Sequence, residues 1–292
     1  MAFAPAFNAW ADDAAWPKVR AKGVLLVELG QRQVLYESNA GKRLAPASLT
    51  KIMTALIAIE EGDPDGIVTV SRHAARAIGH RLRLRAGQTF RRHDLIDAML
   101  VTSANDACRA VAESIGGSEA AFVGKMNHYA DMLGLRDTHF ENACGFDAPR
   151  HYSTARDLAH LATTAMEHPA FAESVAHLDG VLRTIDGRRA YRLRTTNRLM
   201  AAQYEGAVGV KTGFTRGAGR CLIARVVREE GDVLLVMLNA PRRWGDAPTL
   251  LTRAFETLAK AKAFGDPGMP GDSPSIVPTT GDISGVRGPI PL

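Results

Sequence analysis

The spacing of hydrophobic positions changes along the chain, and these changes predict the order of strands and helices. Two short apolar runs around Gly30 predict an N-terminal hairpin over residues 23–29 and 33–38. Helical spacing and capping residues then dominate five segments: 47–61, 92–101, 105–115, 118–133 and 154–168. Strand-like runs follow at 181–185, 190–194, 206–211, 219–228 and 233–238, before a last helix over 247–263. Strands from both ends of the chain with helices between them predict an α+β domain, in which one antiparallel sheet is flanked by an inserted helical region.

The N-terminal residues differ in composition from this central domain. Residues 1–16 are rich in Ala, Phe and Trp and contain no basic residue. The tripeptide Ala9-Trp10-Ala11, followed by two aspartates, is similar to a signal-peptidase site. We therefore expect residues 1–20 to be the remainder of a signal peptide, with a frayed N-terminal tail as the alternative. Export would place the protein in the periplasm, either soluble or loosely associated with the membrane.

The C-terminal residues also differ from the central domain. Residues 265–292 are rich in Pro, Gly and Ser and cannot bury a core, so we expect them to form a disordered tail. This leaves residues 21–264 as the folded domain. Its longest strongly apolar run, residues 233–238, is far short of the roughly 20 residues that a bilayer-spanning helix needs, so no transmembrane segment is expected.

Composition and charge exclude several classes of function. The chain has 292 residues, of which 46% are hydrophobic and 23% charged, as in an ordinary globular protein. The formal net charge of +5 is spread along the chain without a run of five basic residues. Nucleic acid is therefore not expected as a partner.

The spacing of cysteines and histidines argues against a metal centre. Cys108, Cys144 and Cys221 are too few and too scattered for a disulfide scaffold, although they leave room for one disulfide. The nine histidines form no H-E-x-x-H sequence, and no Cys/His ligand spacing occurs. We therefore expect no metal ion in the reaction.

The first of three short motifs is Ser48-Leu49-Thr50-Lys51. Ser48 and Lys51 are three residues apart, so on a helix their side chains share a face and can touch. Lys51 is the only charged residue in the apolar stretch 49–59, which predicts a helix buried nearly all round. Burial and the helix dipole would both lower the lysine pKa, giving a neutral amine that can take the serine proton. A capping serine beside a snorkelling lysine would leave the same pattern.

Two further motifs place polar groups at the ends of predicted elements. Ser103-Ala104-Asn105 lies between two predicted helices and can project a hydroxyl and an amide into a cleft, although a helix N-cap would also explain it. Lys211-Thr212-Gly213 follows an apolar strand and supplies a cation, a hydroxyl and a glycine that permits close backbone approach. Alone, it is an ordinary strand end. All three motifs in this order are a strong signal, whereas each one singly is weak.

Together the motifs resemble the active-site set of penicillin-binding proteins and class A β-lactamases. The flanking residues narrow the resemblance to the low-molecular-mass D-alanyl-D-alanine carboxypeptidases, serine peptidase family S11, over about residues 20–264. The resemblance is carried by segments 47–54, 103–107, 151–158, 196–199 and 211–215. It implies a β-lactamase/transpeptidase-like fold and removal of the terminal D-alanine from peptidoglycan stem pentapeptides. It also implies that β-lactam antibiotics are covalent inhibitors and that the reaction needs no cofactor.

The resemblance implies a catalytic role for three residues. Ser48 would be the nucleophile that forms the acyl-enzyme, and Lys51 would be its general base. Ser103, together with Lys211, would pass a proton to the leaving amine.

The resemblance also implies which residues bind the substrate. Asn105 would hold the substrate amide, and Thr212 would help to bind the terminal carboxylate. The backbone N–H groups of Ser48 and Phe214 would form the oxyanion hole, with Gly213 allowing the close approach. Arg243, or its neighbour Arg242, would pair with the substrate carboxylate, unless it is an ordinary solvated arginine.

Three alternatives remain open from the sequence. A D,D-endopeptidase that cuts peptidoglycan cross-links would share all three motifs. A class A β-lactamase would need a Glu-x-x-x-Asn element between the second and third motifs, whereas Glu141 is followed directly by Asn142. A non-catalytic wall-binding module would tolerate loss of Ser48 or Lys51, and both are present.

Overall fold

The computed structural model describes residues 16–263 and confirms the predicted α+β fold. Within this range the strands are β1 (Gly23–Glu28), β2 (Gln33–Ser38), β3 (Ile67–Thr69), β4 (Thr89–Arg91), β5 (Asp179–Arg183), β6 (Ala190–Arg194), β7 (Ala207–Thr215), β8 (Gly219–Arg228) and β9 (Gly231–Leu238). The helices are α1 (Lys51–Glu61), α2 (Arg72–Ala75), α3 (Arg92–Val101), α4 (Asn105–Gly116), α5 (Glu119–Met132), α6 (Ala155–Met166), α7 (Pro169–Ala176), α8 (Arg198–Ala201) and α9 (Arg243–Ala263). The predicted C-terminal tail, residues 265–292, and residues 1–15 of the predicted signal-peptide remnant lie outside the described residues. The rest of that remnant, residues 16–20, is described, and its Trp16 and Val19 pack against buried hydrophobic side chains.

The main sheet has the strand order β2-β1-β9-β8-β7 and is antiparallel throughout. Strand β1 is buried at all six positions because both faces of the sheet are covered. Leu25 and Val27 face the core formed with the helical region, whereas Val24 and Leu26 belong to a second core formed with α9. Two covered faces explain why β1 and β9 are continuous apolar runs rather than alternating ones.

The helical region surrounds α1, which is buried over residues 51–58 as predicted. Helices α3, α4 and α6 pack against it. A 3₁₀ turn, Ala47–Thr50, precedes α1 and contacts strand β7 of the sheet. The fold therefore brings the start of a buried helix, the turn between α3 and α4, and the sheet edge to one place.

Several element boundaries differ from the predicted ones, for identifiable reasons. The predicted helix 154–168 ends at Met166, and a separate helix begins at Pro169, because proline lacks the N–H that would continue the helix. Strand β5 lies two residues earlier than predicted because Thr184 begins the turn to β6. Strand β7 continues through the third motif to Thr215. The pattern predicts neither helix α7 nor the short elements β3, β4, α2 and α8. Helix α9 begins at Arg243, four residues before the predicted start.

Within residues 16–263, no helix combines the length and the apolar character that crossing a bilayer requires.

Candidate active site

Ser48 and Lys51 meet at the junction between the 3₁₀ turn and α1. Lys51 Nζ lies 3.0 Å from Ser48 Oγ, as their spacing predicts. The lysine side chain is fully buried, and its Nζ also donates to Asn105 Oδ1 (2.8 Å) and to the carbonyl oxygen of Cys144 (2.6 Å). Three neutral oxygens therefore surround the amine, and within residues 16–263 no carboxylate forms an ion pair with it.

Burial is the main cause of the altered acidity of Lys51. Removal from water lowers the pKa of Lys51 well below its ordinary value, and the nearby positive charge of Lys211 lowers it further. In the neutral amine, one lone pair is free to accept the proton of the Ser48 hydroxyl at the distance observed. The site therefore places an amine of lowered pKa beside the Ser48 hydroxyl.

Two close backbone contacts fix the turn that carries Ser48. Ala47 has a left-handed backbone with φ +51°, so the chain turns sharply just before the serine. A Cβ placed on Gly145 would lie 1.9 Å from the carbonyl oxygen of Ala47, which no side chain can satisfy. A Cβ on Gly213 would lie 3.1 Å from Ser48 N, so the third motif runs directly against the backbone of the first.

The second motif forms the turn between α3 and α4, as predicted. Ser103 is buried in this turn and has a φ of +62°. Asn105 is the first residue of α4, and both polar atoms of its side-chain amide form hydrogen bonds. Oδ1 accepts from Lys51, and Nδ2 donates to the carbonyl oxygen of Ile78 at 2.7 Å. Its backbone N–H donates to His80 O at 2.9 Å. Asn105 thus connects the lysine to the segment before β4.

A disulfide joins Cys108 in α4 to Cys144, which resolves the pairing that the sequence left open. The loop residue Cys144 is the same residue whose carbonyl oxygen accepts from Lys51. The covalent link therefore ties the helix of the second motif to the loop that holds the lysine. The third cysteine, Cys221, is buried and free, and burial raises the pKa of its thiol to about 11.

The third motif lies in β7, the strand at one edge of the main sheet. Lys211 is buried, and its Nζ donates to Thr212 O at 3.1 Å. Burial lowers the pKa of Lys211 to about 7, and the charge of Arg243 adds to the effect. The hydroxyl of Thr212 lies 2.6 Å from that of Thr196. Phe214 is 61% exposed, so the strand presents an aromatic ring at its outer end.

Arg243 lies behind this strand, at the start of α9. Its Nη1 donates to the carbonyl oxygens of Gly213 and Cys221, each at 2.6 Å. The guanidinium also stacks over the ring of Trp244 at 4.7 Å. Burial lowers the pKa of Arg243 to about 10. Arg243 therefore braces the third motif through its main chain, whereas Arg242 is exposed.

A buried histidine that the sequence motifs did not single out supports the 3₁₀ turn that carries Ser48. The backbone N–H of Glu141 donates to His151 Nδ1 at 3.0 Å, so Nδ1 is an acceptor and the proton sits on Nε2. His151 Nε2 then donates to Thr50 Oγ1 at 2.8 Å, and the Thr50 hydroxyl donates to the carbonyl oxygen of Ala47 at 2.8 Å. Burial lowers the pKa of His151 to about 4, which keeps this relay in its neutral form.

His80 stands at the exposed side of the cleft. Its Nε2 is 3.0 Å from Thr102 Oγ1. Partial burial lowers the pKa of His80, and the charges of Lys211 and Lys51 lower it further, so both lysines act on one imidazole. No sequence motif pointed to His80 because its position depends on the tertiary fold.

The two carboxylates of the loop before His151 are bound by groups other than Ser48: Asp147 accepts from the Thr215 hydroxyl and from the backbone N–H of Gly217. Glu141 Oε2 accepts from the backbone N–H of Arg150 (2.8 Å), and its carboxylate pairs with the Arg150 side chain (3.3 Å). Asn142 Oδ1 accepts from three successive backbone N–H groups, those of Cys144, Gly145 and Phe146. The side-chain amide of Asn142 therefore holds the loop, and the Glu141 carboxylate is bound to Arg150.

Comparison with known proteins gives one consistent result. The family model described as D-alanyl-D-alanine carboxypeptidase matches residues 10–242. A relative in Bacillus subtilis, D-alanyl-D-alanine carboxypeptidase DacF, is 36% identical over 82% of this chain and 63% of its own length. D-alanyl-D-alanine carboxypeptidase DacC of Escherichia coli is 35% identical over 89% of this chain and 68% of its own length. The chain thus spans about two thirds of the length of these relatives.

Solved structures agree with the fold. The Streptomyces K15 DD-transpeptidase is 29% identical, with a TM-score of 0.78 over 83% of this chain and all of the other. A putative penicillin-binding protein homolog from Mycobacterium tuberculosis, Rv2911, is 28% identical, with the same TM-score over 84% of this chain and 95% of its own. Since sequence and fold agree over most of the chain, the protein belongs to the D-alanyl-D-alanine carboxypeptidase family of serine peptidases.

Proposed function

We propose that this protein is a serine D-Ala-D-Ala carboxypeptidase that removes the terminal D-alanine from peptidoglycan stem pentapeptides. The observation that carries the proposal is the amine of Lys51, fully buried and 3.0 Å from Ser48 Oγ. Such an amine is a base at neutral pH, and a serine beside it is the ordinary partner in acyl transfer. Family membership supplies the substrate class: peptides that end in D-Ala-D-Ala.

Acylation begins when the neutral amine of Lys51 takes the proton of Ser48. The Ser48 oxygen attacks the carbonyl carbon of the penultimate D-alanine, and a C–O bond forms. The C–N bond to the terminal D-alanine then breaks, and its nitrogen receives the proton that Lys51 took from Ser48, relayed through Ser103 and Lys211, which restores the neutral amine of Lys51. The developing oxyanion is stabilised by the backbone N–H groups of Ser48 and Phe214, with about 3–4 kcal/mol for each donor in comparable sites.

Substrate recognition falls to the groups that line the other side of the cleft. We assign the terminal carboxylate to Lys211 and Thr212, because a buried cation next to a hydroxyl suits a carboxylate. Asn105 holds the substrate amide after its contact with Lys51 is rearranged. Arg243 acts on this subsite through the carbonyl oxygens that it binds.

Deacylation requires water to attack the ester, releasing the shortened peptide and restoring Ser48. Within the described residues, no carboxylate pairs with Lys51, and Glu141 is engaged with Arg150. This disfavours rapid hydrolysis of a penicillin ester and hence the β-lactamase alternative. We propose that residues 21–264 form the catalytic domain, and that the protein acts in the periplasm, where its substrate lies.

Covalent capture by penicillin tests the nucleophile. We expect the intact mass to rise by one penicillin, with the adduct on the peptide that contains Ser48. Ser48→Ala should abolish the adduct while the far-UV spectrum and the melting temperature stay close to the wild type. A folded wild-type protein that gains no adduct would contradict the proposal, and fast turnover of free penicillin would favour a β-lactamase.

Product analysis tests the reaction itself. Incubation with purified pentapeptide muropeptides should release one D-alanine per stem, measured by mass spectrometry, and Ser48→Ala should release none. Cross-linked muropeptides provide the matched substrate for the endopeptidase alternative. Cleavage of cross-links without release of D-alanine from pentapeptides would replace the carboxypeptidase proposal.

A further inference from the structure

Two segments in which arginine alternates with leucine lie side by side next to the cleft. Residues 81–85 read Arg-Leu-Arg-Leu-Arg, and the β5–β6 hairpin repeats the alternation. The leucines of the hairpin, Leu182 and Leu193, are buried, so the arginines between them point to solvent. Eight arginines of these segments are exposed. Arg188 lies near Asp186, and Arg81 donates to the carbonyl oxygen of Ala77. We call the other six the arginine face: Arg83, Arg85, Arg183, Arg189, Arg192 and Arg194.

Hydrogen bonds join the two segments into one surface. The backbone N–H of Ile185 donates to Thr89 O at 2.9 Å. The hydroxyl of Tyr191 donates to Gln88 Oε1 at 2.8 Å. A shallow cavity lies at this junction, and arginines line it from both sides: Arg85 from one segment, Arg188 and Arg189 from the other. The positive charges are therefore held together by the fold.

The charge of the arginine face is not neutralised inside the described part of the chain. Within residues 16–263, none of its six guanidiniums has a carboxylate oxygen within ion-pair distance. The two nearest acids in the hairpin are Asp186, which is 3.7 Å from Arg188, and Asp179, which is opposite Arg194 in the strand register. Three more carboxylates lie against these segments: Asp106 accepts from the backbone of Leu82 and Leu84, and Asp94 and Asp97 line a cavity with the hairpin leucines. The eight exposed arginines outnumber these five acids, so the surface keeps a net positive charge.

The arginine face leads directly into the candidate active site. Strand β6 ends at Arg194, and two residues later Thr196 lies 2.6 Å from the hydroxyl of Thr212. At a rise of about 3.3 Å per residue, Arg194 is about 7 Å and Arg192 about 13 Å along the chain from Thr196. A polymer whose peptide occupies the cleft would therefore place its neighbouring peptides over this face.

We propose that the arginine face binds the free carboxylates of stem peptides that neighbour the one in the cleft, so that the enzyme prefers polymeric peptidoglycan to isolated peptide. The inference rests on the proposed function. Guanidinium groups match carboxylates in a two-point geometry and hold their charge at any physiological pH. Exposed arginines spread over a broad surface suit a polymer with repeated carboxylates better than one small ligand. An anionic lipid surface is the competing occupant, because Val181 and Ile185 are also exposed here.

The test compares polymeric and soluble substrates in the full-length protein. Arg192→Gln/Arg194→Gln removes two charges of the arginine face, and Lys22→Gln/Arg32→Gln removes two exposed charges elsewhere as the matched control. In low salt, we expect the first variant to raise KM for isolated sacculi by about fivefold with kcat unchanged, because each surface contact is weak. Its kcat/KM for a soluble pentapeptide should equal that of the wild type. The difference on sacculi should disappear at about 0.5 M salt.

Binding experiments separate the possible occupants. The wild type should co-sediment with sacculi freed of attached anionic polymers, and capping the sacculus carboxylates as amides should remove this binding. An equal KM for both double variants on sacculi would overturn the proposal. Binding of the face to vesicles with anionic phospholipid, without loss of sacculus binding in the Arg192→Gln/Arg194→Gln variant, would overturn it in favour of a membrane surface. If the wild type released no D-alanine from soluble pentapeptide, the proposed function would fail, whereas charge-dependent sedimentation would still support the face.

Discussion

The two buried lysines of the cleft share a residue type but occupy different settings. Lys51 follows a turn fixed by left-handed and glycine backbone, and three oxygens surround its amine. Lys211 lies in β7, the edge strand of the main sheet, where its amine contacts Thr212 O. Arg243 adds a second positive charge close by. The surroundings of Lys51 define one position for a base. The surroundings of Lys211 place its own positive charge near that of Arg243, which favours the binding of an anion.

The sharpest test of this contrast replaces Lys51 with arginine. Lys51→Arg keeps a positive charge but removes the neutral form, because guanidinium does not lose its proton. We expect penicillin acylation to fall by at least about a thousandfold with little change in the far-UV spectrum. Stopped-flow or mass-resolved acylation rates provide the measurement. A variant that acylates near the wild-type rate would remove Lys51 as the base.

The disulfide next to Lys51 provides a test of stability. Cys108 and Cys144 are 36 residues apart, and closing such a loop restricts the unfolded chain by about 4 kcal/mol. We expect the Cys108→Ala/Cys144→Ala variant to lose about 4 kcal/mol of its free energy of unfolding, measured by urea unfolding. The rate of amide hydrogen exchange should then increase more around position 144 than around Lys211. Equal changes at both lysines would mean that the two regions are not separately supported.

Titration of His151, which contacts Thr50 just before Lys51, should change the free energy of unfolding with pH. The pKa of His151 is about 4 in the folded protein against an ordinary value of 6.5, so the unfolded chain binds the proton first as pH falls. Stability should decrease between pH 6.5 and about 4, by about 3 kcal/mol in total. Urea unfolding at several pH values measures the slope. His151→Gln should lack the part of the slope that one proton contributes; an unchanged slope would contradict the assignment.

Titration of Lys211 should instead affect substrate binding. Its pKa is about 7, so its positive charge is present below that pH and is lost as pH rises through it. We expect KM for a pentapeptide to rise by up to about tenfold between pH 6.5 and 8.5. Lys211→Arg stays charged, so its KM should change little over the same range. If KM rises equally in both proteins, another group controls carboxylate binding.

The sequence predicts most of the fold because the pattern of buried positions is local. Helix α3 and strands β6 and β8 begin and end where the pattern predicts. Strand β7 runs past its predicted end at Lys211 because the polar Thr212 is buried by tertiary packing. The two short strands β3 and β4 have three residues each, which is too few for a period to be visible.

The sequence predicts part of the candidate site for a similar reason. Ser48 and Lys51 are three residues apart, so helical geometry alone brings them together. The carbonyl oxygen of Cys144 that accepts from Lys51 is a main-chain atom, which any residue type would supply. His151 is 101 residues from Thr50, and its role depends on which ring nitrogen accepts from Glu141. Such contacts have no sequence signature.

The contacts that surround Lys51 also bear on how the protein reaches its native state. Its amine binds oxygens of residues 54 and 93 positions away, so the amine is positioned only after distant segments have met. Contacts of this kind form slowly because a long loop must close before they contribute. During refolding with the disulfide intact, the helical far-UV signal should therefore return before the capacity to react with penicillin. Newly made chains would pass through a stage that is compact but not yet a target for the drug.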